Sequence, residues 1–152
     1  MSDEYISLSF VDTNILVYAF APDDPVRSPI AQALIDELLA ANAFLTSTQI
    51  LQELYVNLTR KIRRTASPAQ ALAYLEQLAE FPVFVNDYSA IREAIQLSTK
   101  HSFSFWDALI IVAAARSRAA RLYTEDLQHG RVILGVEIVN PFRQARPTMK
   151  QH

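Results

Sequence analysis

Four acidic residues, Asp12, Glu53, Asp107 and Asp126, carry the chemistry this chain can do. Asp12 directly follows the apolar run Ser9-Phe10-Val11, and Asp126 follows the strand-like stretch Arg121-Leu122-Tyr123-Thr124. Asp107 opens the most apolar segment of the protein, and Glu53 lies early in the helical stretch TSTQILQELYVNL. If a fold gathers such groups, two carboxylates about 5 Å apart repel by roughly 3 kcal/mol at an effective dielectric near 20. The cluster then either takes up protons or binds a cation. The chain has no cysteine, and His101, His129 and His152 show no metal-binding spacing, so oxygen donors select a hard ion, Mg2+ or Mn2+. Such an ion polarises a phosphoryl oxygen, acidifies a bound water and stabilises charge in an in-line displacement. The reaction class is phosphodiester hydrolysis without a nucleophilic side chain. Thr13, Asn14 and Thr124 stand beside these acids and are suited to orienting carboxylates and waters.

Each acid also has a structural explanation. Asp12 reads as the N-cap of a helix starting near Ile15. Glu53 lies off the apolar face formed by Ile50, Leu51, Leu54, Tyr55 and Leu58, where a glutamate is normally solvated. Ser104-Phe105-Trp106-Asp107 fits a capping box, in which the acid reaches back to a backbone N–H. Asp126 can cap the short turn that Gly130 ends, and its neighbour Glu125 is the alternative for any role there.

The elements that must position these residues alternate. Strands are expected at ISLSFV (6–11), AFLTS (43–47), PVFVN (82–86), RLYT (121–124) and VEIVN (136–140). Between them, Ser28-Pro29 is expected to cap a helix with Ile30, Leu34, Ile35, Leu38 and Leu39 on one side. Thr46 and Gln49 suggest a capping box, Ser67-Pro68-Ala69-Gln70 a second, and Asp87 or Ser89 opens a helix to about Thr99. The stretch WDALIIVAAARSRAA starts apolar on nearly every side, the mark of a helix buried against a sheet. Alternating strands and helices predict an α/β fold with a parallel sheet covered on both faces. Ligands in such sheets bind beyond the carboxyl ends of the strands, which turns four scattered acids into one expected site.

Composition bounds the rest. Apolar residues make up 51% and charged residues 20%, too hydrophobic for a disordered chain. One domain is expected over 1–143, with 144–152 a frayed basic tail. Only Gly130 and Gly135 are glycines, so a Gly-rich phosphate loop is excluded. The apolar run 108–115 is far shorter than the roughly 20 residues that span a bilayer, and MSDEYIS lacks the layout of a secretory signal. A soluble cytoplasmic protein with no membrane partner is the expectation. With a net charge of -2 the chain as a whole does not attract nucleic acid. Local basic runs would have to do so: Arg60, Lys61, Arg63 and Arg64 form the densest, and Arg116, Arg118 and Arg121 another. Such runs are more often solvated faces.

Taken in order, Val11-Asp12-Thr13-Asn14, Glu53, Trp106-Asp107-Ala108, Thr124-Glu125-Asp126 and the closing Asn140-Pro141-Phe142 resemble the PIN-domain ribonucleases, particularly the toxins of VapBC-type toxin–antitoxin pairs. The resemblance implies a three-layer α/β/α fold with a five-stranded parallel sheet of order 3-2-1-4-5. It implies an Mg2+- or Mn2+-dependent endoribonuclease in which Asp12, Glu53 and Asp107 are the principal acids. Asp126 would be the fourth, favoured over Glu125 by the T-x-D spacing, with Thr13 and Thr124 supporting. It also implies an RNA substrate, a cognate antitoxin and a homodimer.

Three other readings compete. A PIN-like fold without catalysis could hold RNA or protein, although a silent site has no reason to maintain mutually repelling acids. A haloacid-dehalogenase-like phosphatase also begins with an aspartate after its first strand, but needs a second acid where Asn14 stands. A response-regulator receiver needs an adjacent acid pair that DTN does not supply.

Overall fold

The computed structural model describes residues 6–60 and 64–143. Its first strand, β1 (Ser9–Val11), is shorter than the expected 6–11, and all three of its residues are buried. Full burial on both faces, rather than alternation, is what a central strand of a parallel sheet requires. Leu8, just ahead of the strand, is 36% exposed. Next come α1 (Thr13–Phe20), α2 (Arg27–Ala40), β2 (Phe44–Ser47), α3 (Thr48–Thr59), α4 (Pro68–Leu78) and β3 (Val83–Phe84). The chain then continues through α5 (Tyr88–His101), α6 (Phe105–Arg116), β4 (Arg121–Tyr123), β5 (Val132–Ile133) and β6 (Val136–Val139).

The sheet order is β3-β2-β1-β4-β6-β5. Phe10 pairs with Leu45 on one side and Leu122 on the other, both in parallel register. The five parallel strands follow the expected 3-2-1-4-5 order, with β6 in the fifth place. The sixth strand was not foreseen. It is the two-residue β5, antiparallel to β6, and it exists because Leu134 (φ 51°) and Gly135 (φ 81°) turn the chain in two residues. Positive φ at both turn positions matches the twist of a tight hairpin. A leucine there gives no sequence signal.

Helices flank the sheet. In α6 every residue from Ala108 to Ala114 is buried, which accounts for its lack of a polar face. It packs on α5 and lies against β2, β4 and β6, while α1 packs on α2 and α3. Arg116 ties α6 to α5 through Glu93 at 2.8 Å and the Ser89 hydroxyl at 3.0 Å. Arg121 pairs with Glu137 at 3.5 Å. Both arginines are thus paired with acids of the scaffold.

Two caps differ from expectation. Helix α2 begins at Arg27, because the Asp24 carboxylate accepts the Val26 and Arg27 N–H groups at 2.9 and 2.7 Å. Ser28 is buried in the first turn, its hydroxyl donating to the Ala21 carbonyl. Pro29 still falls within the first turn, where an N–H has no helical partner to lose. Helix α3 is capped by Ser47, which accepts from Ile50 N–H at 3.3 Å, rather than by Thr46. The Ser67–Gln70 capping box and the Asp87 cap form as expected. Among the described residues no helix is long and apolar enough to cross a membrane. The expected tail at 144–152 lies outside them.

Candidate active site

The order β2-β1-β4 reverses the direction of winding between β1 and β4, and a crevice opens where their carboxyl ends diverge. Asp12 leaves β1 there, tied to its neighbour by its N–H donating to the Tyr123 carbonyl at 2.9 Å. Thr124 to Asp126 leave β4 beside it. Glu53 descends from α3, which follows β2, and Asp107 sits in the first turn of α6, where Ser104 accepts its N–H at 3.0 Å. Asp12, Glu53, Asp107 and Asp126 line one pocket with Thr13 and Asn14. Among the described residues, no lysine, arginine or histidine lines it.

Hydroxyls hold the acids in place. Thr124 Oγ1 donates to Asp12 Oδ2 at 2.8 Å, and the Thr13 N–H donates to Asp12 Oδ1 at 2.8 Å. Asp12 is therefore the cap of α1 as well as a wall of the pocket. The Thr13 hydroxyl donates to Glu53 Oε1 at 2.7 Å, and Gln49 Nε2 donates to Glu53 Oε2 at 3.0 Å. The Asp126 N–H donates back to Thr124 Oγ1 at 3.1 Å. Asn14 is exposed on the rim.

Burial pushes the Asp12 carboxyl up to about 6 from an ordinary 3.8, against the hydrogen bonds from Thr124 and Thr13 that lower it. Asp126 and Glu53 add smaller upward pushes. Asp126 is also raised, by partial burial first and then by Asp107 and Glu125. Both shifts are led by burial, which disfavours the charged form, and the neighbouring acids push in the same direction.

The oxygen-only donor set fits a hard divalent cation. Among the described residues, however, no group of three or more His, Cys, Asp or Glu side chains forms a ready metal-holding cluster. The acids share a pocket without being packed as one ligand cage. Mg2+ keeps several waters and takes one or two carboxylates together with substrate phosphate, so it does not require a closed protein cage.

Glu125, the alternative fourth acid, turns away. Its oxygens accept from the Tyr18 hydroxyl at 3.0 Å and from Arg27 Nε at 3.1 Å. Arg27 also lies over the rings of Tyr18 and Phe142, so the cluster is stitched together on the far side of the strand end.

Of the expected basic residues, Arg60 and Arg64 are exposed and line a neighbouring, larger cavity that shares Asn57 with the acidic pocket. Lys61 and Arg63 lie outside the described residues. Gln49, Val56, Asn57, Trp106 and Ile110 also contribute to the site and were not anticipated. Gln49 and Asn57 stand four residues either side of Glu53, a helical spacing that puts them on its face. That signal was present in the sequence.

A PIN-domain family model matches residues 9–133. Ribonuclease VapC23 of Mycobacterium tuberculosis is 30% identical over 119 residues, covering 77% of this chain and 91% of its own length. Three solved structures share the fold. VapC20 of M. tuberculosis, described as a toxin that cleaves the sarcin-ricin loop, superposes with a TM-score of 0.61 at 22% identity, over 78% of this chain and 89% of its own. A toxin–antitoxin complex from Klebsiella pneumoniae gives 0.65 at 20% identity, over 88% and 97%. VapBC2 from Rickettsia felis, bound to a promoter DNA fragment, gives 0.60 at 18%, over 86% and 96%. With the matched span containing all four pocket acids, the chain belongs to the PIN-domain family.

Proposed function

We propose that this protein is a divalent-metal-dependent endoribonuclease and the toxin of a VapBC-type toxin–antitoxin pair. The observation that carries the reading is the pocket itself: four carboxylates at the sheet's switch point, two of them aimed by threonine hydroxyls, with no basic side chain among the described residues that line it. The 30% identity to Ribonuclease VapC23 supports the same activity. The nuclease unit is residues 1–143, and it acts in the cytoplasm.

Asp12, Glu53, Asp107 and Asp126 are assigned as the residues that hold Mg2+ or Mn2+. When bound, that ion supplies Lewis-acid stabilisation of phosphoryl charge and an acidified water. The protein's own contribution is orientation. Thr124 and the Thr13 amide fix both oxygens of Asp12, while Thr13 and Gln49 fix both oxygens of Glu53, so neither carboxylate must reorganise when substrate arrives. Asn14 is placed to hydrogen-bond water or substrate at the rim. Arg60 and Arg64, with Lys61 and Arg63 beside them in the chain, are assigned to the RNA backbone, which they position without reading its sequence.

The partners follow from the same reading. An antitoxin segment that inserts a basic side chain among the acids would replace the cation and silence the site. The active form is a homodimer.

The test is cleavage of a structured RNA with Mg2+ or Mn2+, with and without chelator, beside Asp12→Asn and Asp107→Asn. Activity should require the metal and fall by on the order of 100-fold or more in each variant. Chelator-resistant cleavage, or full activity in both variants, rejects the mechanism in favour of a contaminant or a binding module.

A further inference from the structure

Trp106 is the chain's single tryptophan, and it stands 61% exposed on the wall of the acidic pocket. Its place is imposed by the helix start: Ser104 caps α6, Asp107 takes the third helical position, and Trp106 lies between. Phe105 packs edge-on against it with ring centroids 5.0 Å apart and planes at 72°, which braces the indole while leaving it largely open to solvent. Its backbone carbonyl accepts from Gln49 Nε2 at 3.4 Å, the amide that also holds Glu53. Val56, 62% exposed, lines the same pocket. Flat apolar surface and a carboxylate cluster thus share one small cleft.

A ligand that satisfies both halves must carry phosphate for the acids and their cation, and a flat π-face for the indole. A nucleotide does. The surroundings suit the edge of a base as well, since Asn14 and Asn57 bring side-chain amides to the same pocket. Asn57 also joins it to the cavity lined by Arg60 and Arg64, so a strand can run from charged backbone contacts to the aromatic ring. That cavity also holds Asp23, so its two arginines leave a modest positive excess; basic side chains beside an exposed aromatic are what single-strand binding uses.

We propose, on the ribonuclease reading above, that Trp106 is a stacking platform for an unpaired base next to the scissile phosphate. A base inside a duplex is stacked on both faces and cannot offer one to the protein. A nucleotide that Trp106 can stack on is therefore one left unpaired.

Because Trp106 is the sole tryptophan, its fluorescence reports on this site alone. The full chain, with Ca2+ in place of Mg2+ and RNA integrity checked on gels, is titrated with a short single-stranded RNA and with a blunt-ended, fully paired duplex of the same composition. The single strand should quench the indole and bind more tightly than the duplex. Trp106→Ala should weaken single-strand binding, read by fluorescence anisotropy of labelled RNA, about 5- to 150-fold. Trp106→Phe, which keeps a ring, should recover most of the loss and show that the fold is intact. An abasic nucleotide walked along the strand should weaken wild-type binding at one position and leave Trp106→Ala unaffected there.

Equal affinity for duplex and single strand, no quench, or unchanged RNA binding by Trp106→Ala each overturns the proposal. Weakened antitoxin binding with RNA binding unchanged assigns Trp106 to the protein partner and overturns it too. Wild-type cleavage with metal alongside any of these results removes only the stacking role. Absence of cleavage removes the nuclease reading, while the titration still decides the stacking one.

Discussion

Thr124 Oγ1 donates to Asp12 Oδ2 at 2.8 Å, joining residues 112 positions apart at the ends of adjacent strands. That bond favours the charged carboxylate, yet burial outweighs it and leaves Asp12 near 6. The folded pKa lies above the unfolded value, so the folded state binds the extra proton between about 4 and 6. The cost of keeping Asp12 charged is fully present above pH 6 and fades as pH falls towards 4. Removing the charge should stabilise the metal-free protein: Asp12→Asn is expected to gain up to about 3 kcal/mol at neutral pH. The gain should shrink towards zero near pH 4. Urea denaturation in chelator at both pH values checks this, and a pH-independent difference would contradict it. Added Mg2+ should stabilise the wild type by mass action and the variant far less.

Glu53 depends on two donors from different elements, Thr13 in α1 and Gln49 in α3. Thr13→Val should lower kcat/KM about tenfold, the equivalent of one hydrogen bond to a charged group. Thr13→Ser keeps the hydroxyl and should restore most of the activity. Equal rates for the Val and Ser variants would show that the bond does not orient Glu53.

Adjacent acids should behave oppositely. Asp126→Asn removes a carboxylate from the pocket and should reduce cleavage at least tenfold, by the same scale of charge stabilisation. Glu125→Gln breaks the ion pair with Arg27 and weakens the hydrogen bond from Tyr18, and should cost about 1 kcal/mol of stability with cleavage largely retained. Steady-state rates and thermal melts of the pair separate the two outcomes. The reverse pattern would exchange their roles.

The two basic runs should also part. Arg60→Gln with Arg64→Gln should weaken RNA binding and flatten its salt dependence, by about 0.7 in the log–log slope for each phosphate that is no longer neutralised. Arg116→Gln should leave that slope unchanged and lower stability by about 1 kcal/mol, since its partners are Glu93, Asp87 and Ser89. Binding isotherms at several salt concentrations decide it.

Most of the frame was legible in the residues because it rests on local rules. Alternating apolar strands and capped helices announced a parallel sheet, and the rule on strand ends put Asp12, Asp107 and Asp126 at its carboxyl edge. What escaped was of two kinds. Small elements lacked a signal, as at β5, where Leu134 holds a positive φ that leucine does not advertise. Caps shifted along the chain: the Asp24 carboxylate takes the N–H groups at the start of α2 in place of Ser28, and Ser47 caps α3 in place of Thr46. Helical periodicity left Glu53 as solvated, because a wheel shows only which face is apolar. It cannot show that Thr13 waits opposite with a hydroxyl.

The amino-acid sequence by itself determined which groups this protein can use: carboxylates and hydroxyls, no thiol, no phosphate loop, one tryptophan. Only the tertiary structure decided which of them meet. Glu125 and Asp126 are neighbours in the chain and equal in charge, yet Arg27 and Tyr18 hold the first on one side of the strand end while the second lines the pocket. Backbone spacing sets that two such side chains diverge. Which one faces the site depends on partners roughly a hundred positions away in the chain, and their placement follows from packing rather than from local propensity.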